Sequence, residues 1–457
     1  MATAIFGLCS TETYDSERFK NRRRSVQYQF PQGAFPLTGL LSITDSEDTN
    51  DPQFSHWEKR WYLQETTTAS QGATKGPWKN SSDADPGDPL SLVANTEYIL
   101  CVTDAKQFRL GKVLLVKCTN TSGATVNAHV LVTAMTDTSG TPNKLKVRAL
   151  KALANIANGT TNESVGLQVL SIGTAFAEGR SNVVGERFFK PVEFANQTQI
   201  FRTPFRLTGS AMKAPLTYDV KGPHQDKAKE HSVEHMVDIE NAVLWGTKSA
   251  YVDTSVEADP TTGAGLPLRT FGGIVYYLER WEAGDYGTVV VTNDDSKDKR
   301  IIENTTGAID EDKFDGWMRK LFKVSNNSNN EKLCVCGGGA LQVLNQLWRS
   351  KVTINTNMPS NETYGMKVVA IDTLFGRVYF KTHPLFSADS NLEYAALFLD
   401  VKNMKLRPMK DRDTKILANR QPNDADYRMD EWFTDIGFEM WFPESHMFVK
   451  NISSYTP

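Results

Sequence analysis

The chain has 457 residues, 40% of them hydrophobic and 23% charged, the make-up of a folded protein large enough for two or three lobes. Its 51 basic and 54 acidic residues leave a net charge of −3, which excludes a nucleic-acid binder working through bulk positive charge. No apolar run reaches the ~20 residues a membrane helix needs, and the start, MATAIFGLCS, lacks the basic region and apolar length of a secretory signal.

The five cysteines, Cys9, Cys101, Cys118, Cys334 and Cys336, are odd in number and scattered, which argues against a disulfide scaffold and for folding in a reducing compartment. Nine Asn-x-Ser/Thr sequons occur, Asn158 and Asn162 among them; without a signal they read as loop chemistry, not glycan sites.

Residues 1–35 read as a polar N-terminal arm carrying Arg22-Arg23-Arg24 and ending near Pro31 and Pro36. The arginines are either a solvated charge run or a contact with an acidic neighbour or phosphate groups. His56 to Leu63, HWEKRWYL, predicts one or two helical turns with Trp57 and Trp61 at i, i+4. Residues 66–96 are rich in Gly, Pro, Ser and Asp and predict a long loop. From Tyr98 to Ala149 the period becomes two, in YILCV, KVLLVKC, NAHVLVTAM and KLKVRAL, which predicts a small antiparallel sheet or barrel. A short strand is expected at Val169 to Ile172, in an otherwise loop-rich stretch. Phe188 to Thr208 is extended, and Pro204 marks it as an edge strand because proline cannot donate to a central ladder.

The strongest helix signal is Lys229 to Ala250. Val233, Met236, Val237, Ile239, Ala242, Val243, Leu244 and Trp245 form a wide apolar stripe at helical spacing. Gly222-Pro223 breaks the chain before it, and Gly246 is placed to end it in a left-handed cap. About twenty such residues make a rod of roughly 30 Å. Arg269 to Ile274, RTFGGI, follows as a Gly-Gly corner. Asp310 to Val324 is a second amphipathic helix, with Phe314, Trp317, Met318, Leu321 and Phe322 on one face and Asp310 as its cap. Lys332 to Cys336 predicts a strand, Gly337-Gly338-Gly339 a turn, and Leu341, Leu344, Leu347 and Trp348 a third helix. Strands are expected at Val352–Asn355, Met366–Asp372, Arg377–His383 and Ala395–Asp400, with an aromatic-rich pair between Glu431 and Val449. Helices and strands mix without alternating, so the fold class is α+β.

Candidate chemistry is sparse. The strand-turn-helix at Leu333 to Leu344 can hold a phosphate in principle, but no Lys-Ser/Thr follows the glycines and GGGA lacks dinucleotide spacing. Cys334 and Cys336 have no second pair at zinc spacing. His231 and His235 stand at i, i+4, but Glu234 is misplaced for a zincin helix, so with His224 they read as exposed residues, sensitive to pH at a subunit contact. No G-x-S-x-G appears. No catalytic, cofactor-binding or metal residue is assigned.

Six stretches in fixed order carry a resemblance: SIGTAFAEGR (Ser171–Arg180), FANQTQIFRTPFRLTGSA (Phe194–Ala211), DIENAVLWG (Asp238–Gly246), RTFGGI (Arg269–Ile274), YGMKVVAIDTLFGRVYFKTHPLF (Tyr364–Phe386) and AALFLDVKNMKLRPMKDRDT (Ala395–Thr414). They resemble the tailed-phage major capsid proteins with the HK97-type fold, over about residues 170–450. This chain departs by Phe271 in the corner and a polar insertion around 284–309.

The resemblance implies an HK97-like α+β subunit with an N-terminal arm (1–35) and an extended loop region with a β-rich excursion (36–220). A peripheral domain with a long spine helix (221–275), most of an axial domain (276–400) and returning C-terminal strands (401–457) follow. It implies a non-enzymatic major capsid protein that self-assembles into pentamers and hexamers of an icosahedral shell enclosing double-stranded phage DNA. Portal, scaffolding and decoration proteins are the further expected partners, with no cofactor and no membrane. The expected place is the virion, after assembly in the host cytoplasm. A near-neutral wall is compatible with enclosing DNA, and scaffolding, if used, is expected as a separate protein. The alternatives are an encapsulin-like nanocompartment shell, or a carbohydrate-binding or hydrolytic protein using Trp78, Trp281 and Trp441 as sugar platforms.

Overall fold

The computed structural model describes residues 36–43, 46–59, 65–70, 76–106, 108–137, 143–158, 164–179, 191–214, 222–258, 265–283, 299–323, 330–349, 362–363, 366–367 and 369–456. The arm with Arg22-Arg23-Arg24, Cys9, Trp61, the insertion from 284 to 298 and the strand expected at Val352–Asn355 lie outside the described residues. The chain divides into two compact units, one of residues 59–191 and one of residues 1–58 with 192–457.

The unit of residues 59–191 is built on an antiparallel seven-stranded sheet. Its strands run in the order Glu65–Thr67, Gln168–Thr174, Lys112–Thr119, Thr125–Asp137, Asn143–Ala149, Glu97–Val102 and Trp78–Asn80. Alternation sets its inner face: Leu114, Val116 and Cys118 point in from one strand, and Leu145 and Val147 from another. The sheet curls until its ends meet. Thr68 bridges Val102, Ala69 N donates to Cys101 O at 2.9 Å, and Thr103 N donates to Thr67 O at 3.0 Å. Closing the sheet removes an exposed edge and makes the core a barrel interior. Short strands at Glu65–Thr67, Trp78–Asn80 and Leu90–Leu92 occupy the stretch expected as loop. Cys101 and Cys118 are buried in this unit without a disulfide, and burial pushes their thiols up to about 11 and about 12.

The other unit is organised on one long strand, Val192–Thr208, which pairs antiparallel with a companion, Tyr427–Met440, from Thr198↔Gly437 to Thr208↔Tyr427. Gln53–Glu58 pairs with the first part of the long strand, from Glu58↔Val192 to Gln53↔Gln197. Beyond Gln197 the long strand therefore has a free edge among the described residues, and Pro204 lies on it, as its missing donor requires. Met404–Pro408 and Lys415–Leu417 pair with the companion strand.

Gln53–Glu58 corrects the helical turns expected from His56. Its burial alternates strictly, with Phe54, His56 and Glu58 buried while Trp57 is 59% exposed. A buried His and Glu masked the period of two in the sequence.

The spine helix runs Pro223–Trp245, so it starts six residues before the expected Lys229 and ends before Ala250. Proline at the first turn suits a helix start, because its missing N–H has no intrahelical partner there. Ser249 and Ala250 instead open a two-stranded ribbon, Ser249–Ala258 with Gly265–Thr270. Gly246 is not a left-handed cap: its φ is −54° and ψ 142°, and its N–H donates to Ala242 O. A side chain is nevertheless excluded there by the corner that follows. Gly273 N donates to Gly246 O at 2.8 Å, and a Cβ on Gly273 would lie 2.6 Å from the carbonyls of Ala242 and Val243.

After the corner comes the helix Ile274–Glu282, and then a six-stranded mixed sheet. Its order is Ile301–Glu303, Met447–Lys450, Ala396–Leu399, Glu331–Cys336, Arg377–Thr382 and Val369–Asp372. The strand Glu331–Cys336 is buried on both faces. Leu333 and Val335 join the core around the spine helix, while Cys334 and Cys336 join the core under Glu311–Lys323 and Gly338–Arg349. Both helices match their apolar periods, and the fold class is α+β.

Candidate functional site

The spine helix is the joint that holds the elements of its unit together. Glu240 lies in its apolar stripe, fully buried, and accepts from Leu37 N at 3.0 Å and Thr38 N at 2.7 Å, and from Thr38 Oγ1. These are the orphan donors in the first turn of the helix Pro36–Ile43, so a carboxylate from another helix caps it. His383 Nε2 stands 2.8 Å from Glu240 Oε1. Leu385 N donates to His383 Nδ1 at 3.1 Å, so that nitrogen carries no proton and the ring donates to Glu240 through Nε2. One carboxylate thus ties the N-terminal helix, the spine helix and the mixed sheet.

The three clustered histidines do different work. His235 is buried, which corrects the reading of the cluster as exposed. Its Nδ1 lies 2.9 Å from Thr203 Oγ1 and its Nε2 2.8 Å from Thr434 Oγ1, and burial lowers its pKa. His224 Nε2 lies 2.6 Å from Asp430 Oδ2, and His231 stacks on Phe205 with centroids 5.6 Å apart. Burial works to raise the Asp430 carboxyl, but Arg428, the Asn419 amide and His224 outweigh it and hold the group below its usual value.

Asn196 sews the corner to the sheet. Its Nδ2 donates to Gly272 O at 3.0 Å and Phe438 O at 2.6 Å, while its Oδ1 accepts from Gly272 N at 3.0 Å. On the mixed sheet, Lys332 and Asp400 form a fully buried pair at 2.7 Å, and Asp400 N donates to His446 Nδ1 at 3.2 Å. Burial lowers Lys332 despite its partner, and takes His446 down to about 3.

The face of the long sheet turned away from the spine helix carries arginines over buried carboxylates. Arg202 reaches Glu431 at 2.7 Å, Arg420 reaches the same group at 3.3 Å, and Arg412 reaches Asp435 at 2.9 Å while lying over the Phe433 ring. Here the guanidinium groups stay partly exposed and the carboxylates do not.

The enzyme-like features resolve into packing. Around Gly337–Gly339, Gly337 N donates to Ala395 O at 3.1 Å, Gly338 N to Ser387 Oγ at 3.2 Å and Ala340 N to Glu393 O at 3.0 Å, so these three amides are taken by the protein itself. A Cβ on Gly339 would lie 2.7 Å from the Tyr394 ring, and a tight corner is what the glycines supply. Trp78 and Trp281 are buried, and the Trp441 ring stacks on His56 at 5.3 Å, so none of the three stands as an open sugar platform. Among the described residues, no three His, Cys, Asp or Glu side chains are grouped to hold a metal ion. Asn196, Glu240 and His383 lie within stretches that carried the resemblance, but nothing in the sequence singled them out as joints, because the groups they bind lie far away along the chain.

These polar groups serve as internal joints beneath charged and apolar outer faces. Residues 32–453 match the model of the SU10 major capsid proteins, and the chain belongs to that family. It is the kind of family that the sequence resemblance implied, and the mixed helices and strands keep the fold class at α+β. The major capsid protein of Pseudomonas phage PaMx41 is 28% identical over 258 residues, 54% of each chain, so the match spans about half of that relative's length. Among solved structures, one from Mycobacterium phage Bobi is 8% identical with TM-score 0.40, covering 98% of this chain and 99% of that one. The capsid asymmetric unit of cyanophage A-1(L) is 11% identical with TM-score 0.40, covering 62% and 85%.

Proposed function

We propose that this chain is a major capsid protein that self-assembles into pentamers and hexamers of an icosahedral shell enclosing double-stranded DNA, and that it has no catalytic role. The observation that carries the reading is the family match over residues 32–453. A shell needs head-to-tail contacts that close into rings, each of modest strength because symmetry repeats it. A unit whose buried polar side chains tie its elements together beneath charged and apolar outer faces suits that task. In this reading the spine helix and corner (221–275) form the peripheral domain, 276–400 most of the axial domain, 401–457 the returning strands and 1–35 the arm. The contact-making excursion of the region 36–220 is the barrel unit of residues 59–191. Portal, scaffolding and decoration proteins are its further partners, and it is assembled in the host cytoplasm before residing in the virion.

Electron microscopy of the expressed protein tests this. Shells, sheets or capsomer rings are the expected result. A compact monomer that persists across salt and pH would overturn it.

A further inference from the structure

Beside the Glu240 joint, the sheet-and-helix unit holds a cavity of about 370 Å³, within the size range of small-ligand sites. Its walls are apolar: Met236 and Ile239 from the spine helix, Leu406 and Pro408 from one strand, and Ile436 from the companion strand. Ser46 and Asp413 also line it, and both are exposed, so it opens to water. Ile239, Leu406 and Ile436 belong to the core around the spine helix, and the cavity continues that core outward. Such walls gain free energy when an apolar group covers them.

The helix Pro36–Ile43 closes one side of the cavity through Thr38 and Gly39. Glu240 fixes the start of that helix at Leu37 and Thr38. The 35 residues before Pro36 lie outside the described residues, and they join the unit at this wall. Their nearest run with an apolar side is VQYQF, in which Val26, Tyr28 and Phe30 alternate with two glutamines. An extended stretch puts those three residues on one face. Phe30 stands six residues before Pro36, a reach of up to roughly 20 Å.

We propose that the cavity is the seat of this chain's own N-terminal arm, filled in cis by the Tyr28 and Phe30 rings. Tethering decides the occupant. A segment a few residues from the cavity wall meets it at an effective concentration in the millimolar range, before any second copy arrives. The chemistry agrees, since the walls are apolar and residues 26–35 carry no charge. The helix wall also leaves room, because a Cβ on Gly39 would meet nothing within 4 Å. Seating the rings ties down the base of the arm and leaves Arg22-Arg23-Arg24 outside the cavity. The seat forms within one chain and does not depend on the shell-forming reading.

The test uses the full chain carrying Phe30→Cys and Met236→Cys, with Cys9→Ser to remove the arm's own thiol, oxidised mildly before assembly. The described native cysteines are buried. A fast-running monomer on a non-reducing gel is expected, with a digest peptide joining residues 30 and 236. Dimers joined through the same two residues would give the cavity to a second copy's arm and overturn the proposal, as would two thiols that stay free. Gly39→Phe gives a second readout that leaves the core residues in place. Its ring enters from an open position in a helix, where glycine is disfavoured. Chymotrypsin cleavage after Tyr28, timed at a temperature where both chains are folded, should run at least tenfold faster than in the parent. Equal rates in the two chains would count against the seat.

Discussion

Glu240 offers the sharpest test of how the joint works. Its carboxylate meets four donors: Leu37 N, Thr38 N, Thr38 Oγ1 and His383 Nε2. Glu240→Gln keeps the shape but turns one acceptor oxygen into an NH2 group, which must then face a donor. The histidine cannot relieve the clash by moving its proton, because its Nδ1 already accepts from Leu385 N. A hydrogen bond to a charged acceptor contributes about 1.5–3 kcal/mol, and an unmet buried donor costs about 1–3 kcal/mol. Losing one bond and stranding one donor therefore weakens the docking of Pro36–Ile43 by about 3 kcal/mol. Since every 1.4 kcal/mol is tenfold, the Leu37 and Thr38 amides should exchange with solvent about a hundredfold faster. Amides of the barrel unit serve as the internal control, since residues 59–191 form a separate compact unit. Hydrogen exchange by mass spectrometry reads both. Unchanged exchange at Leu37 and Thr38 in the variant would refute the assignment of Glu240 as their anchor.

Val243 is fully buried in the spine-helix stripe, so Val243→Asp should abolish particle formation through misfolding, read as loss of soluble folded protein. Normal particles from it would mean the buried face is wrongly placed. Lys332→Met leaves Asp400 as an unpaired buried charge and should destabilise by about 3–5 kcal/mol. Adding Asp400→Leu should restore most of the loss, and a double variant no better than the single one would show that the pair is not an isolated unit. His446 has a folded pKa of about 3, below its ordinary value, so the native state binds its proton less readily than the unfolded chain. Its contribution is therefore complete above about pH 6.5 and is lost as pH falls toward 3, at about 1.4 kcal/mol per pH unit. The pH dependence of denaturant midpoints for parent and His446→Phe should diverge in that window; parallel curves would contradict the assignment.

Much of the local structure was readable in one dimension. The helices Glu311–Lys323 and Gly338–Arg349 were visible because each buries a stripe at helical spacing, and the barrel strands because theirs alternate. The ordered motifs from Ser171 to Thr414 were enough to point to the family. The strand Gln53–Glu58 was misread because its inward positions hold His56 and Glu58, which look like surface residues until Trp441, Phe442 N and Glu439 are brought to them. His235 was misread for the same reason, since its two hydroxyl partners come from Thr203 and Thr434.

By itself the sequence determined the periods, and with them the strands of residues 98–149, the spine helix and the α+β class, because a period depends only on near neighbours; closure into a barrel came from contacts such as Thr68 with Val102. The tertiary structure decided which polar residues could be buried. Glu240 in an apolar stripe costs heavily unless donors surround it, and those donors come from Leu37, Thr38 and His383, up to 203 residues away. It also decided which face of the long strand was left open, since that depends on a companion arriving from Tyr427–Met440 and a helix covering only one side. No local pattern encodes a partner that far along the chain, so only the folded molecule could show it.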